Sequence, residues 1–111
     1  MPQQTLKRNG EFSRAYAKGK AYVHPFVVTY VFKKRGGGMR IGITTSKKIG
    51  GAVQRNRARR VIRAALSALP LDTARNVDLV FVARGATTRI KSTQVQQALS
   101  VSLAAAGLLH T

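Results

Sequence analysis

The sequence predicts an α+β fold, a sandwich of one mixed sheet with helices packed on it, in the order α-β-β-β-α-β-α. β-branched and aromatic residues gather in short runs within residues 20–44 and again over Val77–Ala83, as strands do. Between those runs, from Ala52 to the residue before Pro70, the apolar residues recur with the period of a helix. A length of 111 residues, 44% of them hydrophobic, matches one domain with one core. Residues 1–111 are accordingly read as a single domain, with residues 1–8 as a flexible basic arm.

Asn9 opens the first helix, and Glu11 falls in its first turn, where the helix dipole favours a carboxylate. Phe12 and Tyr16 stand one turn apart on one face, and Gly19 supplies the stop. From Lys20 the period changes: Tyr22 and Val23, then residues 26–32, read as strand, broken by His24 and Pro25. Residues 33–38 form a basic loop ending in three glycines, expected as a hairpin connection. Over Met39–Thr44, Met39, Ile41 and Ile43 alternate with Arg40, Gly42 and Thr44, the pattern of a half-buried strand.

The second helix places Ala58, Val61, Ile62, Ala65, Leu66 and Leu69 in one stripe. Arg55, Asn56, Arg59, Arg60 and Arg63 fall on the opposite side, with Arg57 at a margin. Residues 71–76 are a linker. Val77–Ala83 is apolar except for Asp78, which predicts a central strand. Ser92 can cap a last helix running to Leu109, with Val95, Leu99, Leu103 and Ala106 on one face.

Charge narrows the function. Twenty Lys and Arg against three acids leave a net charge of +17, a surface that repels itself unless a polyanion lies nearby. With no cysteine there is no disulfide framework and no thiolate zinc site. Two histidines with Glu11, Asp72 and Asp78 leave little for a metal site, which disfavours a self-contained metallonuclease. The longest apolar runs, residues 26–32 and 103–109, fall far short of the roughly 18–20 residues of a membrane span. Residues 1–10 lack the apolar stretch of a secretory signal, so a cytoplasmic location is expected.

The charge concentrates. Lys47, Lys48, Arg55, Arg57, Arg59, Arg60 and Arg63 crowd residues 46–63 with no acid among them. Like charges one turn apart destabilise a helix, and a merely soluble helix would mix Lys with Glu. Guanidinium groups bind phosphate bidentately and stack on bases, so an Arg run points to nucleic acid. Gly50 and Gly51 let backbone amides approach an anion near the helix start, though the Lys-Ser or Lys-Thr ending of a nucleotide-binding P-loop is missing.

Residues 46–63, SKKIGGAVQRNRARRVIR, resemble the signature of the protein component of bacterial ribonuclease P, with Arg55, Asn56 and Arg57 as its Arg-Asn-Arg core. The resemblance extends to Leu6, Lys7, Arg8 and Asn9 with Glu11, Phe12, Tyr16 and Gly19, to Arg40, Ile41 and Gly42, and to residues 78–84. Gly51 departs from it, standing where the family usually has Asn. The resemblance implies the sandwich shared with a domain of a small-subunit ribosomal protein. It further implies a subunit of an endoribonuclease whose RNA is the catalyst, removing the 5′ leader of precursor tRNA. No group on this chain would then be catalytic, Mg2+ would be bound mainly by the RNA and substrate, and no obligate protein partner is implied.

Carried over by resemblance, Lys47, Lys48, Arg55, Asn56, Arg57, Arg59, Arg60 and Arg63 would bind the RNA subunit. Phe12 and Tyr16 would line a leader cleft with strand aromatics, Phe26 and Tyr30 being candidates and Thr29 an alternative for that place. Taken without the resemblance, Phe12 and Tyr16 at helical spacing read as core. A small ribosomal protein is a rival reading, lacking here the long basic tails usual in that class. A DNA-binding architectural protein is another, against which stand the missing dimerisation heptad and helix-turn-helix spacing.

Overall fold

The structure, a computed structural model, describes residues 4–6 and 8–110. Within them the elements follow as β1 (Gln4–Thr5), α1 (Asn9–Lys18), β2 (Lys20–Val23), β3 (Val27–Lys33), β4 (Met39–Thr44), α2 (Ala52–Ser67), β5 (Val77–Ala83) and α3 (Ser92–Ala105). Short 3-10 turns lie at Lys47–Ile49 and Gly85–Thr88. The predicted α+β order holds, with a two-residue strand added ahead of the first helix.

The apolar run of β5 forms the middle of the sheet, whose order is β1-β4-β5-β3-β2. β5 runs parallel to β4 and antiparallel to β3, so the sheet is mixed. Strand alternation then sorts residues between two faces. Val27, Val31, Met39, Leu79 and Phe81 meet Ala58, Ile62 and Ala65 of α2 and Val95, Leu99 and Leu103 of α3 in the main core. On the other face Leu6, Ala15 and Val80 form a smaller cluster with Phe12, Tyr30, Phe32 and Val82 beneath α1. The apolar stripe of α2 is buried as the sequence predicts, from Ala58 to Leu66.

Residues 33–38 are not a hairpin. β5 lies between β3 and β4, so this loop crosses the start of β5 instead of joining neighbours. Its backbone is held there: Lys34 N–H donates to the Asn76 carbonyl at 3.0 Å and Gly38 N–H to Asn76 Oδ1 at 3.0 Å. Gly37 and Gly38 take φ of 88° and 70°, a left-handed path that glycine adopts without strain.

Part of the stretch expected as a basic arm is built into the sheet. Gln4 and Thr5 pair in parallel with Arg40 and Ile41, Leu6 N–H donates to the Ile41 carbonyl at 3.0 Å, and Leu6 is buried. Residues 1–3 and 7 lie outside the described residues. α1 begins at Asn9 as expected, and the N–H of the residue before it, Arg8, donates to Glu11 Oε1 at 3.0 Å. Lys91, not Ser92, precedes α3, with Gln94 Oε1 accepting its N–H at 3.1 Å. That helix stops at Ala105 rather than Leu109, because Gly107 turns left-handed at φ 75°. Gly107 N–H bonds the Ala104 carbonyl and Leu108 N–H the Leu103 carbonyl, both at 3.0 Å, the paired bonds of a Schellman stop.

Candidate nucleic-acid interface

Because its stripe from Ala58 to Leu66 faces the core, α2 must turn its arginines outward. Asn56, Arg57, Arg60 and Arg63 are exposed, and Arg55 and Arg59 are half-buried. Lys47 and Lys48 stand exposed on the 3-10 turn just before the helix, so all eight predicted RNA-facing residues lie on one continuous stretch of chain, residues 47–63. Two contacts order it: Arg57 Nε donates to the Thr88 carbonyl at 2.9 Å, and Arg59 donates to Asn56 Oδ1 at 3.2 Å.

Among the described residues, no carboxylate pairs with any of these seven cations. The acids are engaged elsewhere. Asp72 lies 3.8 Å from His110, and Glu11 pairs with Arg40. Asp78 is fully buried, held by Arg40 Nε and the Arg40 terminal nitrogen at 2.8 Å each and by Lys34 Nζ at 2.7 Å, with Arg14 at 3.9 Å. Burial pushes the Asp78 carboxyl up, yet the hydrogen bonds from Arg40 and Lys34 and the charges they carry together outweigh it and hold the group below its ordinary value. Donating to Asp78 in turn raises Arg40 against its own desolvation. This network ties α1, through Glu11 and Arg14, to β4, β5 and the loop carrying Lys34. Sequence reading missed it, although a lone Asp inside an apolar strand was the visible signal.

The opposite face of the sheet carries the aromatics. Tyr16 and Tyr30 meet edge to face with centroids 5.0 Å apart, and Tyr16 is 43% exposed. The Tyr16 hydroxyl donates to Thr44 Oγ1 at 3.4 Å, and the Arg14 guanidinium lies 5.3 Å from the Phe32 ring centre. Phe12 lies directly on Gly42: a Cβ there would come within 2.5 Å of the ring. Phe12, Tyr16 and Tyr30 thus form one wall, in which Phe12 is half-buried packing and Tyr16 presents surface. Phe26 does not join them. It sits in the turn before β3, its ring 5.1 Å from that of His24 and its carbonyl accepting from Thr87 Oγ1 at 2.6 Å. Thr29 lies on the other side of the sheet, where it pairs with Phe81 facing α2 and α3 and is fully buried.

Among the described residues no three His, Asp or Glu side chains gather as a cluster that could hold a metal ion. No helix among them is long and apolar enough to cross a membrane.

The family model for ribonuclease P matches residues 1–107, a span that includes both faces. The chain belongs to the ribonuclease P protein family. Its relatives include the ribonuclease P protein component of Clostridium botulinum (strain 657 / Type Ba4), 35% identical over 111 residues, 99% of this chain and all of that one. That of Thermoanaerobacter sp. (strain X514) is 39% identical over 80 residues, 72% of this chain and 69% of that one. Among solved structures, the Staphylococcus aureus RNase P protein superposes with a TM-score of 0.81 at 28% identity, covering 98% of this chain and all of the other. The predicted family and the α+β sandwich are therefore both found, and the family match takes in residues 46–63 and the other segments, from Leu6 to residue 84, on which the resemblance was drawn.

Proposed function

We propose that this chain is the protein subunit of ribonuclease P, assisting RNA-catalysed removal of the 5′ leader from precursor tRNA in the cytoplasm. One observation carries the reading: an acid-free basic helix on one side of the sheet and an accessible aromatic wall on the other. Lys47, Lys48 and the arginines of α2 bind the folded catalytic RNA through its phosphates, with Asn56 orienting Arg59. Tyr16, backed by Tyr30 and Phe12, offers a stacking surface to unpaired leader bases, which aromatic faces accept without sequence preference. Mg2+ is held by the RNA subunit and the substrate, and the catalytic groups are on the RNA. No obligate protein partner is needed.

Purified chain incubated with precursor tRNA and magnesium should yield no mature 5′ end. Adding the catalytic RNA should restore cleavage at low magnesium. Site-specific cleavage by rigorously RNA-free protein would overturn the assignment.

A further inference from the structure

β1 covers only Arg40 and Ile41 of β4, and where this pairing stops a groove of about 390 Å³ opens along the sheet edge. It reaches from the α1 side to the α2 side. Phe12, Ile43 and Leu66 give it apolar walls, and Arg59 and Arg63, one turn apart on α2, line the same space. Neither arginine has a carboxylate partner among the described residues. The volume lies at the low end of the roughly 300–1,000 Å³ of small-ligand sites, a size for one nucleotide and not for a duplex.

We infer that this groove receives a single unpaired nucleotide of the catalytic RNA, base against the apolar walls and phosphate on Arg59 and Arg63. The inference rests on the RNA-binding reading of α2 and adds a pocket to its charged face. Charge complementarity selects an anion, the apolar walls select a flat group beside it, and an unstacked nucleotide supplies both. A double-stranded segment has phosphates to offer the arginines but no free base to fill the space between Phe12 and Leu66.

Since the sequence has no cysteine, Ser67→Cys at the groove can carry a photocrosslinker as the only thiol in the full chain. Bound to the RNA subunit, it should crosslink to an unpaired nucleotide, while the same label at Val101→Cys on exposed α3 should not. Ser67→Trp, which fills the groove while keeping both arginines, should weaken RNA binding about tenfold, and Ser67→Ala should bind as wild type. Crosslinks confined to duplex nucleotides or to protein overturn the inference. So does wild-type affinity for Ser67→Trp, and if α2 arginine variants still lose binding, the RNA-binding reading survives alone. Failure of the wild-type chain to bind the RNA subunit at all would overturn both. Should Ser67→Trp fail to fold, the crosslink decides.

Discussion

Asp78→Ala should cost more stability than its single side chain suggests. The substitution removes a buried carboxylate that accepts two bonds from Arg40 and one from Lys34, leaving both cations without their main partner. Removing one member of a buried ion pair costs about 3–5 kcal/mol, most of it from stranding the other charge. Arg40 and Lys34 keep side-chain exposures of 20% and 14%, and Glu11 stays beside Arg40, so partial rehydration lowers the expected loss to about 2–4 kcal/mol. At this chain length that is a fall in Tm of about 8–16 °C. The sign with pH follows from the depressed Asp78 value. The contribution is complete above the ordinary 3.8 and disappears as pH falls through the lower folded value, so wild type should lose stability on acidification more steeply than Asp78→Asn. Urea and thermal denaturation at neutral and acid pH measure both. A loss below about 1 kcal/mol at neutral pH, within the range of an exposed pair, would refute the reasoning.

Tyr16→Ala, at a ring 43% exposed, should leave Tm nearly unchanged yet weaken precursor tRNA binding by the holoenzyme by about 1–3 kcal/mol, with mature tRNA unaffected. Phe12→Ala, stripping the ring from Gly42, should lower Tm as well, though by less than the roughly 3–5 kcal/mol of a fully buried ring. Gly42→Ala should destabilise by about 1–3 kcal/mol by denaturant titration, because its Cβ would meet Phe12 at 2.5 Å. Affinity for the RNA subunit should fall by about three to five orders of magnitude between 50 and 200 mM salt if six or more cations contact phosphates; a flat plot would contradict that use of the charge.

Much of this was legible in the sequence where the signal is local. The α2 stripe and its basic back are set by a 3.6-residue period, and the apolar run of β5, interrupted only by Asp78, announced a central strand. Strand order was not legible, because the insertion of β5 between β3 and β4 is decided by residues 38 to 56 positions apart; hence the loop of residues 33–38 looked like a hairpin. Gly107 was a visible stop inside the last helix, but the apolar residues after it, Leu108 and Leu109, imitate a continuing helical face while serving the core and a bridge to Leu71. In the aromatic wall, spacing alone could not separate packing from surface for Phe12 and Tyr16; the bare backbone of Gly42 beneath Phe12 does so. Phe26 shares its aromatic character with the wall but sits outside the strand that builds it.

The claim that α2 docks on RNA is tested most directly by Arg55→Ala, Arg59→Ala and Arg63→Ala combined, with the affinity for the catalytic RNA subunit measured across a salt series. These side chains lie off the buried stripe, so Tm should hold while binding weakens and the log–log salt slope drops by about three. Wild-type affinity and slope in a folded triple variant would contradict it.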